Sequence, residues 1–239
     1  MKIALISGTS GLVGMQLLHQ LLQNEKYDFV LSVGRRKLAL KHQKLAQIEG
    51  DLSKLQQWDW EQKLTSQSLG GEFNNVRDAI VERQAEIHAF SALGTTIKQA
   101  GSKEKFFAID HDLVINFGKW AKKLGATKLL YVSASGADPK SSIFYNQTKG
   151  KTEEDLKEIR FEYLGLFRPS LLLGNRNEFR LGEQIASILM KPLVWLNLFK
   201  NIQPIYDYQV ARAMVTIALD QKQVKTDVIT SKQMQILTR

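Results

Sequence analysis

A chain of 239 residues, 44% of them hydrophobic, carries enough apolar material for a sizeable core and lies far from the composition of a disordered chain. It has no cysteine, which excludes disulfides, thiolate metal sites and a cysteine nucleophile and makes a cytoplasmic protein the default expectation. The net charge of +9 suits an anionic partner, but the basic residues are spread out, without a long Lys/Arg block or aromatic interleaving, so a nucleic-acid surface is not expected.

Met1 to Ser7 carries one charge and a very short apolar run before glycine-rich sequence, which predicts a buried first strand from Lys2 and no signal peptide. Leu12 to Leu22 then spaces Leu, Val and Met as a helix does. Phe29 to Val33 is the second strand, ending at Gly34-Arg35-Arg36, and a short third strand precedes Gly50-Asp51. From Leu52 to Glu86 the pattern weakens into an irregular excursion with one helix around Val76 to Arg83. Strand character returns from Ile87 to Leu93, followed by an amphipathic helix from Asp110 to Leu124 and a strand from Lys128 to Ser133. Tyr145 to Ile159 reads as helix and Phe161 to Phe167 as a sixth strand.

This alternation predicts an α/β fold, a doubly wound parallel sheet of Rossmann type, as a single domain over residues 1–239. Ile185 to Phe199 is apolar but interrupted by Lys191-Pro192 and short of a membrane span, so no transmembrane segment is expected. Within it, Trp195, Leu196, Leu198 and Phe199 read first as core or substrate pocket, with a homo-dimer surface, a substrate lid and a membrane-facing patch as the alternatives, and the whole stretch is expected to lie over the substrate pocket. Substrate-side elements are expected mainly in 175–210.

Gly8-Thr9-Ser10-Gly11-Leu12-Val13-Gly14 sits between the first strand and the first helix. Glycine there allows a tight turn, close approach of backbone to a pyrophosphate and packing of helix on strand, and the helix N-terminus supplies free N–H groups. The end of the second strand is where an adenosine ribose is read: an acid suits a free 2′-hydroxyl, arginine a 2′-phosphate. Arg35 and Arg36 occupy that place, so NADP(H) is preferred over NAD(H). Asp51 and Leu52, at the third strand end, fall near the adenine.

Tyr145 and Lys149 are four apart on a helix and share a face. A phenol is a poor acid–base group near neutrality unless a cation favours the phenolate, and Lys149 can supply one. His19, His42, His88 and His111 lack metal-ligand spacing, so no metal site is expected, and Gly-x-Ser-x-Gly is absent.

With these motifs the chain resembles the short-chain dehydrogenases/reductases. It is most similar to the atypical Tat-interacting-protein-like oxidoreductases and their bacterial relatives. The resemblance rests on Ala92 to Thr96, Lys98 to Lys103, Ser133 to Asp138, Tyr145 to Gly150 and Phe167 to Gly174, continued by Glu178, Arg180 and Glu183. It implies that Gly8, Ser10, Gly11, Leu12 and Val13 hold the pyrophosphate side and that Arg35 and Arg36 hold the 2′-phosphate. Asp51 and Leu52 would flank adenine, and Ala92, Leu93 and Gly94 would line the ribose side. Tyr145, Lys149, Pro169 and Leu171 would surround the nicotinamide and its ribose. Relatives show two consecutive serines where this chain has Ser133-Ala134-Ser135; Ser133, at the strand end, is preferred over Ser135 as the hydroxyl that orients a substrate oxygen. The expected function is an NADP(H)-dependent oxidoreductase acting on a carbonyl or alcohol, with a non-catalytic, dinucleotide-responsive binding protein as the alternative.

Overall fold

The computed structural model describes residues 1–67, 73–174, 204–220 and 225–238. Its centre is a parallel sheet of seven strands: β1 (Lys2–Ser7), β2 (Phe29–Gly34), β3 (Leu45–Glu49), β4 (Glu86–Ser91), β5 (Lys128–Val132), β6 (Tyr163–Arg168) and β9 (Thr226–Thr230). They lie in the order β3-β2-β1-β4-β5-β6-β9, so the order reverses beside β1, where doubly wound sheets open a crevice at the strand ends. A second parallel pair, β7 (Leu172–Leu173) and β8 (Ile205–Tyr206), stands apart from it.

Successive residues of a strand face opposite sides, and β1 shows the consequence. Ile3 and Leu5 enter one core, while Ala4 and Ile6 enter the other. The first core is closed by α6 (Leu113–Leu124), through Val114, Phe117, Trp120 and Ala121. The second is closed by α1 (Leu12–Gln23), through Val13, Leu17, Leu18 and Leu21, and by α8 (Asp207–Leu219), through Val210, Ala211 and Met214. Buried on both faces, the strands read as continuous apolar runs.

The six expected strands are present, and β9 is an addition: a short, largely exposed edge strand whose polar Thr-Asp-Val-Ile-Thr sequence gives little apolar signal. The excursion after β3 is more regular than expected, with a 3-10 turn (Leu52–Gln57), α2 (Trp60–Thr65) and α3 (Asn74–Val81). Two short helices, α4 (Ile97–Ala100) and α5 (Lys103–Phe107), follow β4. Between α5 and α6 the chain makes a π-helical turn, Ala108–Asp112, where a plain α-helix was expected from Asp110 onward. The helix after β5, α7, runs Phe144–Glu158, and α9 (Ser231–Leu237) ends the described fold. Ile185 to Phe199, and Glu178, Arg180 and Glu183, lie outside the described residues.

Candidate active site

The β1–α1 turn is built without side chains because there is no room for them. Gly8 has φ +82°, and a Cβ there would lie 2.4 Å from the Ala92 carbonyl carbon; at Gly14 it would lie 2.0 Å from the Gly8 carbonyl oxygen. Gly11 donates its N–H to that oxygen at 3.0 Å and caps α1 with no side-chain acceptor. The first turn of α1 holds no acid, so its free N–H groups and partial positive charge face outward.

In front of it opens a cavity of about 730 Å³ across the carboxyl ends of β1, β2 and β4. Gly8, Thr9, Ser10 and Gly11 form one wall; Gly34, Arg35 and Arg36 another; Ala92, Leu93, Gly94 and Thr95 a third; Leu52, Gln99, Ile109 and Leu113 complete it. Arg35 and Arg36 are exposed. Neither has a carboxylate partner among the described residues. Leu12, Val13 and Gly14 support this wall from within α1: Val13 and Gly14 are buried against the sheet and Leu12 approaches Gly174. Asp51 is exposed and caps the 3-10 turn, accepting from the Ser53 N–H (3.0 Å) and hydroxyl (2.8 Å), bonds that hold its carboxyl below the usual range.

Tyr145 and Lys149 come off the first two turns of α7. Lys149 is buried, and its ammonium lies 2.8 Å from Asp110 Oδ1 and donates to the Tyr131 hydroxyl at 3.0 Å. Burial opposes the charge on Lys149, but Asp110, with Tyr131 and Tyr145, outweighs it and holds the ammonium well above the usual lysine range. The other oxygen of Asp110 accepts the Thr95 N–H at 2.8 Å, so one carboxylate ties α7 to the turn after β4. Gly94 lies over this pair: a Cβ there would stand 3.3 Å from Asp110 Oδ1 and 3.6 Å from Lys149 Nζ. Tyr145 rests beside Phe106, ring centroids 5.6 Å apart. Burial raises its phenol pKa; Lys149 pulls it down and Asp110 pushes it back, leaving it raised.

Ser133 is placed differently from the expected role. Its hydroxyl donates to Glu153, four residues beyond Lys149 on α7, and Glu153 is in turn clasped by Arg168 through Nε (2.9 Å) and Nη2 (2.5 Å). Ser135 is exposed, and its backbone N–H donates to the buried Pro169 carbonyl at 2.9 Å, which sets it at the carboxyl ends of β5 and β6. Leu171 enters the β7 pair by accepting the Ile205 N–H at 3.0 Å.

Asp110 is the member of this site that motif reading misses, although a signal exists. With Val114, Phe117 and Ala121 it falls at i, i+4, i+7 and i+11, an acid on the apolar stripe of a helix, and all four are buried. Thr95 and Tyr131 carry no comparable signal. Among the described residues no three His, Cys, Asp or Glu gather as a metal site. His88 is instead a core residue between the Tyr27 hydroxyl (2.8 Å) and Glu86 (2.9 Å).

A glycine cradle on a doubly wound sheet, with a tyrosine and a lysine one helical turn apart beside it, defines a dinucleotide-binding enzyme fold of the short-chain dehydrogenase/reductase type. The chain belongs to the NAD dependent epimerase/dehydratase family, whose model matches residues 4–163. It is 30% identical over 220 residues to the mitochondrial protein FMP52 of Meyerozyma guilliermondii, covering 91% of this chain and 85% of that protein. It is also 30% identical over 185 residues to the protein HTATIP2 of Rattus norvegicus, covering 77% and 69% respectively. Among solved structures it resembles the UDP-glucuronic acid 4-epimerase of Bacillus cereus in complex with UDP-glucuronic acid and NAD. The TM-score there is 0.62 at 14% identity, over 97% of this chain and 77% of the other, a likeness of fold.

The relatives overturn the cytoplasmic expectation. The FMP52 proteins of three yeasts carry mitochondrial names, and a chain without cysteine is compatible with either compartment, so composition had no power to choose. Among the described residues no helix is long and apolar enough to cross a membrane.

Proposed function

We propose that this protein is an NADP(H)-dependent oxidoreductase that reduces a carbonyl compound, with Tyr145 as proton donor. The observation that carries the reading is the buried Asp110–Lys149–Tyr131 cluster under Gly94, on the same helix as Tyr145 and against the wall of the glycine-lined cavity. The side-chain-free turn at Gly8 and Gly14, the free N–H groups of α1 and the uncompensated Arg35 and Arg36 fit a dinucleotide with a 2′-phosphate. When bound, that group supplies the hydride.

The protein's own part is to hold and move a proton. Tyr145, its phenol pKa raised, is protonated at neutral pH and suited to donate to a carbonyl oxygen as charge builds there. Lys149 remains an ammonium, available to a ribose hydroxyl and to the phenol. Because the Ser133 hydroxyl is spent on Glu153, Ser135 is assigned the role of orienting the substrate oxygen. A non-catalytic, dinucleotide-responsive binding protein is the second reading, favoured by that same commitment of Ser133.

The test is NADPH oxidation against a panel of aldehydes, ketones and nucleotide sugars, repeated with Tyr145→Phe. Turnover should fall by about 100-fold or more while NADPH affinity changes little. Near-parental turnover in the variant would sink the mechanism, and a panel without any turnover, with NADPH binding intact, would favour the second reading.

A further inference from the structure

The β2–β3 connection carries Arg35, Arg36, Lys37, Lys41 and Lys44 within ten residues, and Arg35 to Lys37 are exposed side by side. Like charges at that spacing repel and favour splayed conformations of the loop. Two features oppose this. Leu38 and Leu40 are half-buried against the second core. The Gln47 side chain, on β3, accepts the Leu38 N–H at 2.8 Å and donates to the carbonyls of Leu38 (3.1 Å) and Leu40 (3.0 Å). Its own backbone N–H is held by the Gln67 side chain at 3.1 Å.

A side-chain amide is the one group that offers an acceptor and two donors in a single plane. Glutamate would lose both donors and face two carbonyl oxygens with a charge; asparagine is one methylene short. The arrangement therefore uses the whole functional group of Gln47 on the loop's first half, while Lys44 anchors its far end to the carbonyls of Asn24 (3.3 Å) and Tyr27 (3.0 Å).

We propose that Gln47 is a specificity-determining positioning residue: its amide splints the backbone at residues 38–40 so that the stretch carrying Arg35 and Arg36 is already in place when a 2′-phosphate arrives. The inference rests on the NADP(H) reading above and adds the residue through which the arginines act. Ordering a loop is a cost of binding, and a splint on its backbone removes that cost in advance. NADH has no phosphate at this position, so loosening the loop should weaken NADPH and leave NADH nearly unchanged.

The experiment is fluorescence titration of the full chain with NADPH and NADH, in the parent, Gln47→Leu, Gln47→Met, Arg35→Ala/Arg36→Ala and the triple variant Gln47→Leu/Arg35→Ala/Arg36→Ala. The parent should bind NADPH at least about tenfold more tightly than NADH, and the arginine variant should lose that preference. Each Gln47 variant should lose about 5- to 50-fold in NADPH affinity with NADH changed less than about twofold. In the arginine-free background Gln47→Leu should add nothing, because it acts through those side chains. Parity of the two cofactors in the parent would overturn the NADP(H) reading and this inference with it. A parent preference that survives in both Gln47 variants, or an equal loss for both cofactors, would overturn the role of Gln47 alone.

Discussion

Cutting the Asp110–Lys149 pair tests how much the site depends on a charge balance hidden from water. The side chains are 1% and 4% exposed and 2.8 Å apart, so removing either charge strands the other in the protein interior. Breaking such a pair from one side costs about 3–5 kcal/mol. Asp110→Asn keeps an oxygen for the Thr95 N–H, which is worth about 1 kcal/mol, and should fall at the low end, near 3 kcal/mol. Lys149→Met leaves the carboxylate with that single donor and should cost about 4 kcal/mol. The double variant should be well below the sum, with a coupling of about 2 kcal/mol or more, because neither charge is then stranded. Urea unfolding of all four proteins at pH 7, followed by tryptophan fluorescence and far-UV circular dichroism together, gives the cycle. Costs that add to within about 0.5 kcal/mol would refute the reasoning. The pH dependence follows from the sign of the shift. Lys149 is raised when folded, so its contribution is complete below the ordinary lysine value of 10.5 and is lost as pH rises through the higher folded value. The Lys149 contribution to the parent should therefore stay flat from neutrality to about pH 10, whereas in Asp110→Asn burial is left to lower the stranded lysine, so the variant recovers stability as pH rises and the gap narrows.

Two shorter predictions follow from neighbouring groups. Ser135→Ala should lower turnover on any reduced substrate by about tenfold or more with the fold intact, while Ser133→Ala should act mainly on stability by removing one donor from the buried Glu153 and leaving Arg168 as its partner; thermal melts beside turnover separate the two, and the reverse pattern would restore Ser133 to the substrate. His88 is held neutral, pushed down to about 4 by burial and then by Lys128, with Glu86 only partly opposing. A depressed pKa means that the unfolded chain binds more protons between about 4 and 6.5, so stability from this residue is present above 6.5 and is lost as pH falls, by about 3 kcal/mol at most. Urea midpoints between pH 7 and 4 should fall less steeply in His88→Asn, and parallel curves would contradict the assignment.

The strands of the main sheet except β9 were legible because a strand buried on both faces must be an unbroken apolar run, and β1, β2, β4, β5 and β6 are such runs. The glycine turn was legible for a related reason: Gly8 and Gly14 leave no space for a side chain, a requirement that composition alone records. β9 escaped because an edge strand half open to water needs no apolar run. The partner of Ser133 escaped because it is Glu153, held by Arg168, contributed by α7 and β6, and no local pattern announces a hydroxyl bonded to an internal carboxylate. Asp110 was readable in principle, as an acid on an apolar stripe, but its partner is 39 positions away and the π-helical turn that aims it has no strong sequence mark.

The helix after β9 holds a distant part of the chain in place. Ser231, the first residue of α9, accepts the Ser170 N–H at 2.7 Å and donates to the Ser170 hydroxyl at 3.0 Å, while β9 zips onto β6 in the same stretch of chain. Ser170 sits between Pro169 and Leu171, the pair assigned to the nicotinamide side. Ser231 and β9 thus fasten the segment that follows β6, and Ser231→Ala would loosen that segment from a residue 61 positions away in the chain.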